Sequence, residues 1–298
     1  MASQKISTKS LETSSPILSR RAFWLPALLA ALLAAMLVST GCFELGPAAF
    51  LNARDSEIRE STQAIQAAHD DAQRAKAYSS RGVAYSEKAR YSRITKLIPF
   101  EEYQRLFDLA IKDHDQAVRL NPASSEVYFN RAQANYDRGS LDLVENKDGR
   151  SWFDVAESDF EKSIEKDPKN DVAMDRLGLA YEQGGQPDKA IRAYTQELAL
   201  NSLGKQRLAD AYCNIGFHHQ QDKDLAAAAA SYRKSAEFGV ADDKSCPYDP
   251  FGNAVAIYTN ETHEYDKAWE MVHLALKAHH LIAPELMASL IKNSGRSD

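Results

Sequence analysis

The chain lacks the short motifs by which many enzyme classes are recognised. None of G-x-G-x-x-G, G-x-x-x-x-G-K, H-E-x-x-H, G-x-S-x-G or C-x-x-C occurs in its 298 residues. Phosphate-binding loops, zinc-protease sites and hydrolase nucleophile elbows therefore have no support. Only 3 cysteines, 13 glycines and 10 prolines are present, which excludes disulfide-dense, collagen-like and low-complexity chains. We predict a protein that is not an enzyme and needs no cofactor.

Positive charge is also scarce, with 36 Lys and Arg residues against 42 Asp and Glu residues and a net charge of −6. A nucleic-acid-binding protein usually presents a basic face, and we expect no nucleic-acid partner. The histidine pairs His218–His219 and His279–His280 are sequence neighbours. Neighbouring side chains on a helix point about 100° apart and cannot easily share an ion. We therefore predict no metal site, with structural roles for His114 and His219.

One long apolar run stands near the N-terminus of this charged chain. Residues 22–38 (AFWLPALLAALLAAMLV) are uncharged, follow Arg20 and Arg21, and precede the small residues that lead to Cys42. A membrane-spanning helix needs about 20 apolar residues, whereas a shorter run between positive charge and small residues is typical of a secretory signal peptide. The pattern predicts export, with an uncleaved signal anchor and, more weakly, a Ser-rich organellar transit peptide as the alternatives.

The end of the run, LVSTGC, resembles the lipobox of bacterial lipoproteins, in which the cysteine is lipidated and begins the mature chain. The resemblance implies a signal peptide over residues 1–41, a lipid on Cys42 and a tether over residues 42–54. Ser19–Leu25 (SRRAFWL) also resembles the twin-arginine export motif, so the general and the twin-arginine routes both remain open. Phe43, where an Asp would retain the lipoprotein on the inner membrane, implies the periplasmic face of an outer membrane.

Small residues recur at regular positions in the remaining chain. Residues 174–181 (MDRLGLAY), 184–190 (GGQPDKA) and Tyr194 together resemble a tetratricopeptide repeat, a helix-turn-helix unit with small residues at positions 8 and 20. Such residues let two helices approach closely, while bulky residues at positions 4, 7, 11 and 24 fill the space around them. Five segments fit: position 8 is Gly82, Ala132, Gly178, Gly216 and Ala256, and position 20 is Ala110, Ala156, Ala190, Ala228 and Ala268.

This resemblance implies an all-α fold, a right-handed tetratricopeptide superhelix or α-solenoid of about five repeats over residues 75–282. Residues 55–75 are predicted to form an N-terminal capping helix, and residues 284–298 a C-terminal capping helix and tail. In the latter, Leu286, Met287 and Leu290 should face inward. Glu197 stands where the repeat usually has Ala, so the third repeat should pack loosely or pair this carboxylate.

Two insertions fall between the helices of the first and second repeats, at residues 89–104 and 139–154. Because equivalent turns of a stacked array lie along one edge, the insertions should be neighbours. They are too apolar for solvated linkers, and we predict an interface formed by Tyr91, Ile94, Phe100, Trp152 and Phe153. Arg90, Arg93 and Lys96 make the first insertion basic, which suits an acidic partner or a lipid head group. Alternatively, each insertion only lengthens its two helices.

In related arrays the first helices of the repeats line a concave groove that binds extended peptides or partner helices. The corresponding residues here mix apolar and acidic side chains, which suits a segment with Lys or Arg and an apolar anchor. The predicted groove residues are Phe129, Gln133, Tyr136, Asp175, Leu179, Glu182, Phe217 and Gln220. A receptor for chaperone C-termini is disfavoured, because Ser79, Val83 and Val172 stand where that clamp needs Lys, Asn and Lys.

Cys213 and Cys246 remain once Cys42 is lipidated, and an exported pair predicts a disulfide, with two buried free thiols as the alternative. Together these features predict a cell-envelope lipoprotein that acts as a tetratricopeptide scaffold or adaptor. Its expected partners are a protein or peptide and, through lipid, the membrane. Two other functions stay open: an enzyme acting on glycan through the loop carboxylates Asp142, Glu145, Asp148 and Asp154, and a structural subunit of an envelope complex.

Overall fold

The computed structural model describes residues 46–96, 98–201, 203–238 and 248–296. The predicted signal peptide, Cys42 and Cys246 lie outside the described residues. Within those ranges the chain forms α-helices and no strand. The helices are α1 Pro47–Ala67, α2 Asp71–Thr95, α3 Phe100–Leu120, α4 Ser125–Val144, α5 Arg150–Lys166, α6 Asp171–Gln183, α7 Pro187–Leu198, α8 Leu203–Gln221, α9 Leu225–Glu237, α10 Pro250–Ala256, α11 Tyr265–Lys277 and α12 Pro284–Ser294.

The helices pack as a row of hairpins in sequence order. The pairs are α2 with α3, α4 with α5, α6 with α7, α8 with α9, and α10 with α11, and the second helix of each hairpin contacts the first helix of the next. A π-helical turn at Ile257–Glu261 continues α10. Helix α1 packs on α2 at one end of the row, and α12 packs on α10 and α11 at the other. The predicted all-α solenoid of stacked hairpins is thus confirmed.

Close contact within each hairpin depends on the small residues. A Cβ atom added to Gly82 would lie 2.6 Å from the His114 ring, and one added to Gly216 would lie 2.8 Å from the Tyr232 ring. Gly178 is still tighter, because an added Cβ would overlap the ring of Tyr194. In each case the ring belongs to the second helix of the same hairpin, so the missing side chain sets the separation of the two helices.

The predicted small positions are buried with one exception, Ala256. Its neighbours Ala254 and Val255 are fully buried instead. Ala256 is the last residue of α10, directly before the π turn. Because a π turn holds more residues than an α turn, the side chains around it rotate away from the 3.6-residue spacing. Position 8 of the fifth repeat is therefore only partly buried, unlike the same position in the other four repeats.

The N-terminal helix differs from the prediction at both ends. Helix α1 begins at Pro47 rather than Asp55, because proline suits the first turn of a helix, where its missing N–H leaves no bond unmade. Residues 47–54, predicted as tether, are therefore helical. The next helix begins at Asp71, where the side chain of Asp70 accepts a hydrogen bond from the Gln73 backbone N–H at 2.7 Å. Residues 71–75 thus belong to the first hairpin.

The closing helix follows its prediction. Helix α12 has Pro284 in its first turn, and Leu290 is fully buried. Leu286 and Met287 are partly buried against the last cluster of core residues. The Nε1–H of Trp269 on α11 donates to Ser294 Oγ at 3.2 Å. Helix α12 thereby covers core residues that the last hairpin would otherwise expose.

Candidate binding groove

The first helices of the hairpins form one continuous face, because α2 contacts α4, α4 contacts α6, and α6 contacts α8. Three clefts open on it. The first cleft has a volume of about 680 Å³ and lies between α1, α2 and α4. The middle cleft, about 280 Å³, lies between α2, α4 and α6, with His114 of α3 beneath. The third cleft, about 580 Å³, lies between α6 and α8.

The first cleft is acidic and polar. Serine and asparagine side chains surround its charged groups, which are Glu57, Glu60, Glu126 and Lys76. Burial raises the pKa of Glu57, and repulsion by Glu87 and Glu60 adds to this effect, while Arg54 opposes it. Crowding of carboxylates is relieved by a bound cation. This end of the groove is therefore complementary to a Lys or Arg side chain.

The middle cleft combines an apolar wall with two unpaired polar atoms. Its apolar residues come from three helices: Val83, Phe129 and Val172. Ser86 Oγ and His114 Nδ1 are buried and have no hydrogen-bond partner among the described residues. Burial, helped by the charge of Arg131, lowers the pKa of His114 to about 3, so the imidazole is neutral under physiological conditions. A ligand that reaches these two atoms can form hydrogen bonds that the protein itself leaves unmade.

The predicted groove residues divide between the clefts and the packing beside them. Phe129 and Gln133 line the middle cleft, and Glu182 lines the third. The others are partly buried against neighbouring side chains. Tyr136 packs edge-on against Phe153 with ring centroids 5.7 Å apart, and Phe217 stacks on Tyr248 with ring centroids 4.0 Å apart. Gln220 accepts a hydrogen bond from Tyr232 Oη at 2.8 Å, and Leu179 is half-buried. Ligand binding by this set stays a prediction.

Asp175 does not belong to the open groove, contrary to the prediction. It is buried, and Arg207 on α8 donates a hydrogen bond to its carboxylate. Asp175 therefore joins the third repeat to the fourth. Its neighbour Glu197 is fully buried, and neither of its carboxylate oxygens has a hydrogen-bond partner among the described residues. Burial raises the pKa of Glu197 to about 7, and repulsion by Asp175 and Asp171 adds to the rise, while Arg207 and the nearby Asn201 side chain, which itself donates to Asp171, oppose it.

Both insertions lengthen the helices that flank them, which is the alternative that the sequence left open. Helix α2 continues to Thr95 and α3 begins at Phe100; α4 continues to Val144 and α5 begins at Arg150. The predicted interface residues mostly pack within the protein. Phe153 is fully buried and Ile94 is half-buried. Tyr91 stacks on Phe50 with ring centroids 4.1 Å apart, and Phe100 packs edge-on against Tyr103 with ring centroids 5.6 Å apart. Trp152 Nε1–H donates a hydrogen bond to Asp142 at 2.9 Å. Phe153 was wrongly assigned to an exposed interface.

Two buried ion pairs inside the long hairpins were not predicted. Arg81 binds Asp113 through two hydrogen bonds of 2.7 and 2.8 Å. Arg131 binds Asp159 through two of 2.6 and 2.9 Å. These hydrogen bonds raise the pKa of both arginines. A sequence signal was present, because each Arg directly precedes a small residue at position 8 and each Asp directly precedes position 24.

Cys213 is fully buried on α8 and is disulfide-bonded. Because Cys246 lies outside the described residues, their pairing stays a prediction. Among the residues that the structure describes, no group of three or more His, Cys, Asp or Glu side chains is arranged to hold a metal ion. The same residues include no helix with both the length and the apolar character needed to cross a membrane.

Comparison with known proteins supports the repeat assignment. Residues 160–192, which run from α5 into α7, match the tetratricopeptide repeat family model. The small glutamine-rich tetratricopeptide repeat-containing protein 2 of Saccharomyces cerevisiae is 31% identical over 94 residues, which make up 32% of this chain and 24% of that protein. The match thus spans about a quarter of the curated relative.

Solved structures with a similar arrangement include MamA, at 18% identity and a TM-score of 0.38 over 68% of this chain and 98% of that chain. YrrB, described as a TPR protein with an unusual peptide-binding site, has 19% identity and a TM-score of 0.39 over 78% of this chain and 97% of that chain. At these values the likeness says nothing about function. The helical hairpins and the match over residues 160–192 together support the assignment of tetratricopeptide repeats in this chain.

Proposed function

We propose that the protein is a cell-envelope lipoprotein that binds a segment of a partner protein in the groove lined by α2, α4, α6 and α8. Tetratricopeptide arrays serve as protein-interaction scaffolds, which gives the general role. The observation that carries the proposal is the row of clefts on one face, of which the middle one holds the buried Ser86 Oγ and His114 Nδ1 without hydrogen-bond partners among the described residues. The acidic first cleft suits a basic side chain, and Val83, Phe129 and Val172 suit an apolar one.

Support for export and anchoring comes from the N-terminal sequence. The apolar run of residues 22–38, the two arginines before it and the lipobox-like LVSTGC form the pattern of an exported lipoprotein. Stable attachment takes two lipid chains or one chain with a basic patch. In this proposal the lipid on Cys42 holds the protein on the periplasmic face of an outer membrane.

An enzyme acting on glycan is the weaker candidate, because two of the four carboxylates proposed for it, Asp142 and Asp148, are engaged in contacts within the protein. Asp142 is bound by Arg138 and accepts a hydrogen bond from Trp152 Nε1 at 2.9 Å. A general acid in glycan hydrolysis needs a raised pKa beside a second carboxylate. Asp148 accepts a hydrogen bond from the backbone N–H of Arg150 at 2.9 Å, two residues along the chain. These contacts indicate structural roles.

Site-specific photo-crosslinking in intact cells tests groove binding. A benzoylphenylalanine replacing Gln133, in the middle cleft, should yield a crosslinked partner. The same residue replacing the exposed Glu165 on α5 should not, because α5 lies on the second-helix side of its hairpin. Glu60→Lys with Glu126→Lys should weaken the crosslink by repelling a basic segment. A crosslink of equal yield at both positions would contradict groove binding.

The anchor is tested separately by the mass of the N-terminal peptide from protein extracted with detergent. We expect a mature chain that begins at Cys42 and carries acyl groups. Cys42→Ser should release the protein from membranes. An unmodified Cys42 in a membrane-attached protein would leave the uncleaved signal anchor as the explanation of attachment.

A further inference from the structure

The long hairpins place several helix ends together along one edge of the array. We define the turn edge as residues 46–50, 91–100 and 141–150, apart from residue 97. Phe50 at the start of α1 stacks on Tyr91 near the end of α2, with ring centroids 4.1 Å apart. Lys147, after the end of α4, lies 5.5 Å from the ring centroid of Phe100 at the start of α3. An apolar cluster that contains Ala89 of α2, Leu106 of α3 and Leu141 of α4 connects these two pairs of helix ends.

The turn edge exposes apolar side chains beside positive charges. Leu143 and Val144 end α4 with 41% and 64% of their surface exposed. The cations are Arg93, Lys96, Lys147 and Arg150, and the anions are Glu145, Asp148 and Asp142, of which Asp142 is bound by Arg138. Arg90 is paired with Asp137 at 3.3 Å. The edge therefore has no excess of negative charge, although the whole chain carries −6.

The chain enters the described structure at this edge. Gly46 is the N-cap of α1, and its carbonyl accepts a hydrogen bond from the Phe50 N–H at 3.1 Å. Cys42 is four residues earlier in the sequence, so a lipid on it is at most about 14 Å of chain away from Gly46. A tether this short holds the turn edge at a high effective concentration beside the head groups.

We propose that the turn edge is a membrane-contact surface, which rests on anionic lipid head groups through Lys96 and Lys147 and dips Leu143 and Val144 into the interface. The inference rests on the proposed attachment at Cys42. Exposed apolar side chains flanked by Lys and Arg are the combination that binds an anionic interface. Other exposed apolar residues, such as Leu276 and Leu281, lie in the last repeat, far along the chain from the anchor.

The test places an environment-sensitive fluorescent residue at two positions in turn. Dansylalanine replaces either Val144 on the turn edge or Leu281, which is 87% exposed and serves as the matched control. The mature chain from residue 42, with Cys42→Ser and an N-terminal hexahistidine, is bound to vesicles of phosphatidylcholine and phosphatidylglycerol that contain nickel-chelating lipid. Removing residues 1–41 removes none of the described contacts, and the chelating lipid fixes the attachment point whether or not Cys42 is lipidated in cells.

We expect the emission at 144 to shift to shorter wavelength and to be quenched by brominated acyl chains, with no change at 281. Lys96→Glu with Lys147→Glu should abolish the quenching at 144, whereas Lys277→Glu with Lys292→Glu, the same change of charge elsewhere, should leave it. Equal signals at 144 and 281, or no quenching at 144, would overturn the proposal. Absence of lipid on Cys42 in cells would overturn the anchor alone, because the vesicle result does not depend on it.

Discussion

The first two hairpins and the third are built from the same repeat but differ in the length of their helices and in the side chains that pack between them. Helices α2 to α5 have 25, 21, 20 and 17 residues, whereas α6 and α7 have 13 and 12. The long hairpins hold Arg–Asp pairs at positions 7 and 23, where the third hairpin has Leu177 and Ala193. The small residues at the crossing are kept in all three. The crossing therefore fixes the fold, while helix length and the chemistry at positions 7 and 23 are free to vary.

The largest effect is expected where a buried ion pair is broken. Arg131→Ala leaves the carboxylate of Asp159, which is 1% exposed, without its bidentate partner. Removing one partner of a buried ion pair costs about 3–5 kcal/mol of unfolding free energy. Lys162 Nζ lies 3.6 Å from Asp159 Oδ1 and still compensates part of the charge, so we expect a value at the lower end of this range. Urea denaturation should show this loss, and hydrogen exchange should locate it in α4 and α5.

The double variant Arg131→Leu with Asp159→Ala is the matched control, because it copies Leu177 and Ala193 of the third hairpin. Replacing a buried ion pair by apolar residues is often neutral, so this variant should unfold at nearly the same urea concentration as the native chain. If it is as unstable as Arg131→Ala, the pair is required by the longer helices, and the two kinds of filling are not interchangeable.

The next largest effect on stability is expected from Glu197, a buried carboxylate that has no arginine bound to it as Asp159 has. The pKa of Glu197 is about 7 in the folded chain against a usual value of 4.5. Because the pKa of Glu197 is higher in the folded chain than in the unfolded chain, folding favours the protonated carboxyl group. This group therefore costs no stability below pH 4.5, and the chain should lose unfolding free energy as the pH rises from 4.5 through 7. The loss amounts to about 3 kcal/mol at most.

Glu197→Gln should remove this pH dependence and make the chain more stable than the native one at pH 8. Thermal unfolding from pH 5 to pH 8 provides the measurement. Asp175, Asp171 and Arg207 surround the site, so Arg207→Gln should steepen the native dependence. A native chain whose stability did not fall between pH 5 and pH 8 would show that Glu197 finds a partner in solution.

A smaller effect is expected at the helix crossing. A methyl group at Gly178 would overlap the ring of Tyr194, so Gly178→Ala should destabilise the third hairpin by about 1–3 kcal/mol despite the better helix propensity of Ala. Gly46→Ala is the control, since no atom lies within 4 Å of its added Cβ. Equal melting temperatures for the two variants would mean that Tyr194 can move aside, and that crossing distance is not set by position 8.

The fold could be predicted from the sequence because two helices cross closely only where both carry small residues, and the regular spacing of those residues is visible in the sequence. All five residues at position 24, among them His114 and Tyr194, are buried as expected. Spacing could not say how an insertion folds, because the apolar residues of 89–104 suit an added helical turn as well as an exposed loop. It also could not reveal that Asp175 is paired, since Arg207 lies in another repeat and only the packed structure brings them together.

The smallest effect compares two helix starts, that of α2 in the first hairpin and that of α9 in the fourth. Asp70 accepts a hydrogen bond from the Gln73 N–H at 2.7 Å, and Gln73 Oε1 accepts one from the N–H of His69, the residue before Asp70, at 3.1 Å, so two side chains satisfy backbone donors at this helix start. Asp224 accepts from the Ala227 N–H at 3.1 Å, and an alanine side chain cannot return a bond. Asp70→Ala should therefore cost about 1 kcal/mol and Asp224→Ala about half as much. A larger loss for Asp224→Ala, measured by urea denaturation, would mean that the short fourth hairpin depends on its cap more than the long first one does, because fewer turns hold it.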